Sequence, residues 1–139
     1  MRLDTARRRI LIPAVVVLAL AVPVSTAEAA SFVAGLRAPG HHPTAGKAWT
    51  IKVTARTRSG RPLRATAYYQ FLYGGQVVST QYPSPHAPPR HSPYPFKGSF
   101  KDPIVWPARA VGYRLVFRVV IHAKGRGTKK LSYSVRVRR

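Results

Sequence analysis

The sequence predicts an all-β fold, a single antiparallel β-sandwich of about seven strands. Three observations predict it. Apolar and polar residues alternate with a period of two in several runs, which is the pattern of strands with one buried face. Turns that contain glycine or proline separate these runs at intervals of roughly eight to twelve residues. No stretch has helical periodicity over a useful length, and the chain has no internal repeat.

The clearest strand pair lies in residues 112–139. Its apolar residues have odd numbers, from Tyr113 to Ala123 in the first run and from Leu131 to Val137 in the second. The sequence Lys-Gly-Arg-Gly-Thr at 124–128 supplies the glycines of a hairpin loop. If residues 123 and 128–129 flank this loop, the numbers of cross-strand partners sum to about 252. The outward pairs are then Arg114 with Arg138, Val116 with Arg136, Arg118 with Ser134, and His122 with Lys130.

The other predicted strands lie before this hairpin. They are a candidate edge strand at residues 31–37 and strands at residues 49–56, 63–73, 77–82 and 96–101. Gly74-Gly75 closes a two-residue hairpin because glycine adopts positive φ angles without steric cost. The proline-rich stretch 83–95 cannot join a sheet interior, since proline lacks the N–H that a ladder needs. Asp102-Pro103 is predicted to turn the chain.

The first 29 residues have the composition of a signal peptide. Arginines at positions 2, 7, 8 and 9 precede an apolar stretch at 10–22, and Ala27-Glu28-Ala29 has the small-x-small form of a cleavage site. The apolar stretch is shorter than the about 20 residues of an ordinary membrane span, although an uncleaved anchor is the alternative. We expect cleavage after Ala29, with the nearby Ala27 as the alternative, and export, with no transmembrane domain in the product. Residues 30–46 are then an N-terminal segment, and residues 47–139 form the sandwich.

Charge is the most unusual feature of the composition. The chain has 24 lysines and arginines against 3 acidic residues. Without the first 29 residues, 20 basic residues and the single acid Asp102 remain, a net charge of +19. Internal ion pairs cannot neutralise this excess, so it faces solvent or an anionic partner. Outside a cell the candidate partners are acidic cell-wall or capsular polymers, anionic lipid head groups and free nucleic acid.

A sequence resemblance narrows the predicted fold. Residues 106–117, Trp-Pro-Ala-Arg-Ala-Val-Gly-Tyr-Arg-Leu-Val-Phe, resemble the approach to the sixth strand of fibronectin type III and other immunoglobulin-like domains. The glycine hairpin and the basic last strand resemble the stand-alone immunoglobulin-like domains of bacterial secreted proteins. The resemblance extends over about residues 49–139 and implies an immunoglobulin-like sandwich, without implying an activity. It also implies that Tyr113 is a corner tyrosine, whose hydroxyl bonds to the backbone a few residues upstream. The family's disulfide is absent.

The residue types exclude most enzyme chemistry. The lack of cysteine excludes thiol catalysis, thiolate metal sites and redox function, and a single acid excludes hydrolysis by paired carboxylates. Ser92 or Ser99 could be combined on paper with a histidine and Asp102, but no nucleophile motif surrounds either serine. We therefore predict a protein that is not an enzyme and that needs no cofactor.

The outward face of the C-terminal hairpin is the leading candidate site. Its basic residues lie opposite one another, and no acid relieves their repulsion. Such a face, extended by Arg64 and Lys52, would grip an anionic cell-wall or extracellular polymer through charge and counterion release; a merely solvated face is the alternative. Specific nucleic-acid binding is not predicted, because the aromatic residues fall on core positions. The candidate contact residues are Arg114, Arg118, Lys130, Arg136 and Arg138.

Two other functions remain as alternatives. The first is a small secreted metal-binding protein that would use His41, His42, His86 and His91, provided that their loops share one end of the sandwich. The second is an adapter that docks on another secreted protein. Its docking surface would be either the proline-rich loop or an outward face formed by Val116 and Val120.

Overall fold

The structure, a computed structural model, describes residues 31–86 and 88–139, so the expected signal peptide lies outside the described residues. These residues form eight strands and one short 3-10 helix, Ala108–Ala110. The strands are β1 (Val33–Arg37), β2 (Ala48–Arg56), β3 (Arg64–Tyr73), β4 (Gln76–Gln81), β5 (Tyr94–Lys97), β6 (Ser99–Val105), β7 (Arg114–Ala123) and β8 (Gly127–Arg136). The predicted all-β sandwich is confirmed. No helix in the described part of the chain is long and apolar enough to cross a membrane.

The strands form two antiparallel sheets. The small sheet has the order β1-β2-β6, and the candidate edge strand at residues 31–37 is its strand β1. The large sheet has the order β4-β3-β7-β8. Strand β5 pairs with the first four residues of β3, while β4 pairs with the last five, Tyr69 to Tyr73. The proline-rich stretch connects β4 to β5 at the edge of the large sheet.

The core lies between the inward faces of the two sheets and is rich in aromatic rings. Phe117 in β7 is fully buried, and its ring contacts those of Trp49, Tyr69 and Phe71 at centroid distances of 5.0 to 5.6 Å. Trp106 packs edge-on against both Trp49 and Phe71. The alternating runs therefore form strands with one buried face, as predicted, since one side of each central strand lies in this core.

The predicted strand at residues 96–101 is divided between the sheets. The chain leaves β5 in the large sheet and enters β6 in the small sheet at Gly98, whose φ is 77°. Its N–H donates to the Leu63 carbonyl at 2.9 Å, and its own carbonyl accepts from the Ala55 N–H at 2.8 Å. A Cβ atom at this position would lie 2.9 Å from the Cβ of Pro62. Glycine is thus required both by the backbone angle and by the close approach.

Asp102 and Pro103 do not turn the chain as predicted; both lie inside β6. Strand β6 is an edge strand that pairs only with β2, and an edge strand tolerates proline because the missing N–H can be on the unpaired side. Asp102 lies opposite Ile51 and faces the core, with 6% of its surface exposed. The sequence predicts that this acid lies in a turn, and the structure buries it in a strand.

The C-terminal hairpin forms as predicted, but its register differs by two residues. Gly127 pairs with Ala123, so the loop has three residues, and the Arg126 N–H donates to the Ala123 carbonyl at 2.9 Å. Paired residues therefore have numbers that sum to 250. Because the shift is an even number, every side chain keeps its predicted face. The outward pairs are Arg114 with Arg136, Val116 with Ser134, Arg118 with Ser132, Val120 with Lys130, and His122 with Thr128.

Tyr113 does not occupy the position that the resemblance implied. Its side chain is 51% exposed, and its ring packs edge-on against Tyr73 at 5.7 Å between centroids. Its upstream hydrogen bond comes from the backbone, since its N–H donates to the Ala110 carbonyl at 3.2 Å. Tyr113 is therefore a surface residue at the sheet end rather than a corner tyrosine.

Candidate basic face of the large sheet

Even-numbered residues of β3, β7 and β8 point away from the core and form one continuous surface. We call this surface the basic face; four of the five predicted contact residues belong to it, and so does Arg64. The distance along β7 from Arg114 to His122 is eight residues, or about 26 Å at the usual rise of a strand. Its basic residues are Arg64, Arg114, Arg118, Lys130 and Arg136.

Two arginines face each other at one end of the basic face. Arg114 and Arg136 are directly paired across β7 and β8, and both are exposed. Paired residues on antiparallel strands have Cα atoms about 4.5 to 5.5 Å apart, so the two guanidinium groups start from neighbouring positions. Together with His41, His42 and Ser134 they line a shallow depression of about 370 Å³. The hollow is open at the surface, and two arginines are among its lining residues.

The segment that follows β1 holds this end of β8 in place. The His41 ring stacks on Tyr133 with 4.2 Å between centroids, and its Nδ1 lies 2.6 Å from the Ser134 carbonyl oxygen. A carbonyl oxygen can only accept, so Nδ1 carries the proton. The His41 carbonyl accepts from the Arg136 N–H, and the Pro43 carbonyl accepts from the Arg138 N–H, both at 2.8 Å. These bonds pair backbone groups of Ser134, Arg136 and Arg138 along the last part of the free edge of β8.

Arg118 lies in the middle of the basic face and is half-buried. Its Nε donates to the Ser132 Oγ at 3.3 Å, and one terminal nitrogen donates to the Gln70 Oε1 at 3.5 Å. These contacts tie the guanidinium to both neighbouring strands. A guanidinium has five N–H donors, so donors remain for a ligand above the sheet. Lys130 is exposed on the adjoining strand, opposite Val120.

The other end of the basic face carries a second group of cations. Arg64 pairs with Lys97 of β5, which extends the face by one strand. These two residues, His122 and Lys124 line a depression of about 400 Å³. The His122 Nδ1 lies 3.0 Å from the Thr128 Oγ1, which fixes the imidazole on the surface. The positive charge therefore continues over the whole length of the face.

Two predicted residues are placed differently. Lys52 belongs to β2 in the small sheet, so it lies on the opposite side of the sandwich and cannot extend the basic face. Arg138 follows the end of β8 and forms an isolated parallel bridge with Thr44. It is exposed next to the basic face rather than within it.

The only acidic side chain in the described residues is inside the protein. The Asp102 carboxylate accepts a 2.7 Å hydrogen bond from the Tyr69 hydroxyl. Burial raises the pKa of Asp102, and interactions with the Tyr69 hydroxyl and the Ser84 backbone N–H oppose the increase. Burial is also the main cause of the raised pKa of Tyr69. No carboxylate side chain of the described chain is therefore free to neutralise the basic face.

The structure separates the four histidines of the metal-site alternative. His41 and His42 lie beside β8, at one edge of the large sheet. His86 and His91 lie in the loop between β4 and β5, at the opposite edge. In residues 31–86 and 88–139, no three histidine, cysteine or acidic side chains are grouped so that they could hold a metal ion. The loops do not share an end of the sandwich as that alternative requires.

Exposed apolar residues gather where the sequence did not predict them. Val120 is 2% exposed and Val116 is half-buried, so these two residues do not form the exposed apolar surface that the adapter alternative requires. A cleft of about 390 Å³ opens instead between the edges of β4 and β6. Its lining includes four exposed apolar residues, Tyr73, Val78, Val105 and Tyr113. The sequence pattern did not indicate this cleft, because the odd-numbered Tyr73 and Tyr113 fit the core pattern of the predicted strands.

Comparison with known proteins does not assign the chain to a family. No family model and no curated protein matches it. Among solved structures, it is similar to a DUF4466 family protein from Parabacteroides merdae, with a TM-score of 0.44 and 10% sequence identity. The similarity covers 76% of this chain, and the chain spans 44% of that protein's length.

Proposed function

We propose that this chain is an exported, non-enzymatic immunoglobulin-like module that binds anionic cell-envelope or extracellular polymers through its basic face. The observation that carries the proposal is the direct pairing of Arg114 with Arg136 in a chain whose one described acidic side chain is buried. Export and an extracellular or envelope location rest on the N-terminal sequence.

The strand order supports the immunoglobulin-like assignment. In the lettering of that fold, strands A, B, E and D form one sheet, and strands C, F and G form the other, which C′ extends in some members. The small sheet β1-β2-β6 corresponds to A, B and E, and the large sheet β4-β3-β7-β8 corresponds to C′, C, F and G; no strand of the described residues takes the position of D. The basic face is then the outward side of the C-F-G strands.

Electrostatics favour a polymeric anion as the ligand. Like charges directly opposite each other on neighbouring strands are unfavourable, and a bound anion removes this cost. A linear polyanion can contact both ends of the face and the central Arg118 at once. Each contact releases counterions, so affinity comes from many weak contacts and depends strongly on salt. The shallow depressions at the two ends suit exposed charged groups better than an enclosed small molecule.

The surroundings of Asp102 support a non-enzymatic role. Its carboxylate is engaged by Tyr69 across the core, and Ser99 lies on the other face of the same strand. A catalytic triad would need these groups within hydrogen-bond reach of one another. The aromatic rings of Tyr69, Phe71 and Phe117 are buried, so they offer no stacking platform for nucleic-acid bases.

Retention on immobilised dextran sulfate, a linear sulfated polysaccharide, tests this function. We expect the protein without residues 1–29 to bind at low salt and to elute steeply between about 50 and 200 mM salt. The variant Arg114→Gln/Arg136→Gln should elute at clearly lower salt than the wild type. The matched control Arg58→Gln/Arg61→Gln removes the same charge from the exposed turn after β2. No retention of the wild type, or an equal effect of both variants, would contradict the proposal.

The cleft between β4 and β6 favours docking on another secreted protein as a second candidate function. Its exposed side chains Val105 and Tyr113 would contact an apolar segment of that protein. Val105→Asp should then abolish co-purification with the secreted partner, whereas Val33→Asp should not. Val33 is similarly exposed at 54% but does not line the cleft, so equal losses would count against docking there.

A further inference from the structure

The small sheet carries a row of three cations on its outward side. Arg37 of β1 pairs with Lys52 of β2, and Lys52 pairs in turn with Lys101 of β6. All three side chains are exposed. The row therefore crosses every strand of the small sheet, with one positive charge on each. We call Arg37, Lys52 and Lys101 the cation row.

The cation row concentrates charge more densely than the basic face does. Adjacent strands are about 4.8 Å apart, so the three side chains arise within roughly 10 Å. Lys52 has a cation on both sides, an arrangement that costs stability unless an anion shares the charge. Small hydroxyl residues flank the row along the strands: Thr50 and Thr54 of β2, and Ser99 of β6. These hydroxyls add hydrogen-bond donors beside the ammonium groups.

The cation row and the basic face point in opposite directions. They lie on the outward sides of the two sheets, and the buried core fills the space between those sheets. Sheets in a sandwich are about 10 Å apart, and the side chains of both outward faces add to this thickness. A straight polymer segment that lies on one face does not reach the other. The only acidic side chain of the described residues, Asp102, is buried and reduces the charge of neither surface.

We propose that the cation row is a second polyanion site and that the protein crosslinks two chains of one anionic polymer, one on each sheet. The inference rests on the proposed function of the basic face and adds bivalency to it. The row would bind sulfate, phosphate or carboxylate groups along the polymer. Two of its three members are lysines, whose ammonium groups attract an anion as point charges without the fixed geometry of a guanidinium. The second occupant is a chain of the same polymer because both surfaces offer the same chemistry.

A two-layer capture assay tests the crosslinking. Dextran sulfate is immobilised, the protein is loaded at low salt, and the surface is washed. Fluorescent dextran sulfate is then added. The wild type should load onto the first layer and capture the fluorescent chain. The row variant Arg37→Gln/Lys52→Gln/Lys101→Gln should load through the basic face. It should capture roughly tenfold less fluorescent dextran sulfate, since three contacts with sulfate groups are lost.

Two further variants serve as matched controls for the row variant. Lys47→Gln/Arg58→Gln/Arg61→Gln removes the same charge from exposed positions outside both surfaces and should capture normally. Lys52→Arg/Lys101→Arg keeps the charge of the row and should also capture normally. Capture by the row variant at the wild-type level, or equal loss in the Lys47 variant, would overturn the inference, and so would a wild type that loads but captures nothing. A wild type that does not load at all contradicts the proposed function itself.

Discussion

The Tyr69 hydroxyl in the large sheet donates a 2.7 Å hydrogen bond to the Asp102 carboxylate in the small sheet. Both side chains are buried, with 3% and 6% of their surfaces exposed. The bond therefore links the two sheets across a core that is otherwise built from apolar and aromatic side chains. The acid serves the fold, and the surface keeps its full positive charge.

Removal of the Tyr69 hydroxyl should destabilise the protein. Tyr69→Phe leaves a buried carboxylate with one donor fewer, and the loss of such a partner costs about 1 to 3 kcal/mol. Urea unfolding followed by far-ultraviolet circular dichroism measures this cost. Tyr73→Phe is the control, because Tyr73 is half exposed on the same strand. Equal stability of the two variants would show that the inter-sheet bond contributes nothing.

Asp102 should give a particular pH dependence of stability. Burial, as the main cause, raises its pKa in the folded protein above the reference value of 3.8. The folded state therefore holds this proton more tightly than the unfolded state. The contribution of the Asp102 proton to the free energy of unfolding is therefore complete below pH 3.8. It is lost as the pH rises through the raised pKa that Asp102 has in the folded protein. Asp102→Asn cannot titrate, so the wild type should lose stability relative to this variant over that range.

The comparison of wild type and Asp102→Asn requires unfolding free energies at several pH values and one ionic strength. The histidines and the large positive charge are common to both proteins, so their contributions cancel in the difference. A difference that stays constant, or a wild type that gains stability relative to Asp102→Asn as the pH rises, would contradict a raised pKa of Asp102.

Burial on the central strands could be predicted from the sequence, but pairing could not. Alternation places Phe117, Val119 and Ile121 on one side, and all three are fully buried. The predicted register of the last hairpin was wrong because its loop contains two glycines, and either glycine can accommodate the backbone of the turn. Alternation also does not tell which sheet a strand joins. Lys52 was therefore expected on the same face as Arg64, although it lies on the opposite side of the molecule.

The cleft and Asp102 could not be predicted for physical reasons. Tyr73 and Tyr113 have the parity of core residues, yet Tyr73 ends β3 and Tyr113 directly precedes β7. There they pack on each other and remain half exposed. An Asp-Pro sequence is typical of turns, and only the pairing of β6 with β2 shows that it belongs to an edge strand. Both features depend on contacts between residues that are distant in sequence.

Gly98 should tolerate substitution less well than other glycines with positive φ. Gly98→Ala places a residue with a Cβ at a φ of 77° and within 2.9 Å of Pro62. Gly125→Ala meets the same backbone strain at a φ of 73° but has nothing within 4 Å. Both variants lose about 1 to 2 kcal/mol through the backbone strain. Gly98→Ala should lose about 1 to 3 kcal/mol more from overpacking, measured by thermal or urea unfolding. Equal losses of stability in the two variants would show that the backbone at Gly98, between β5 and β6, has room for a methyl group.

Reversal of one charge on the basic face should change stability and polymer binding in opposite directions. Arg136→Glu places a carboxylate directly opposite Arg114 and replaces a repulsion by an attraction, which is worth roughly 0.2 to 1 kcal/mol for a cross-strand pair. The same change lowers the charge at the end of the basic face, so retention on dextran sulfate should weaken. Arg138→Glu is the control for the stability effect, since Arg138 lies beyond the pair and would face Arg114 only in the register that sums to about 252. Greater stabilisation by Arg138→Glu than by Arg136→Glu would contradict the register of the hairpin. If Arg136→Glu is stabilised but its retention on dextran sulfate is unchanged, the proposed polymer site does not include this pair.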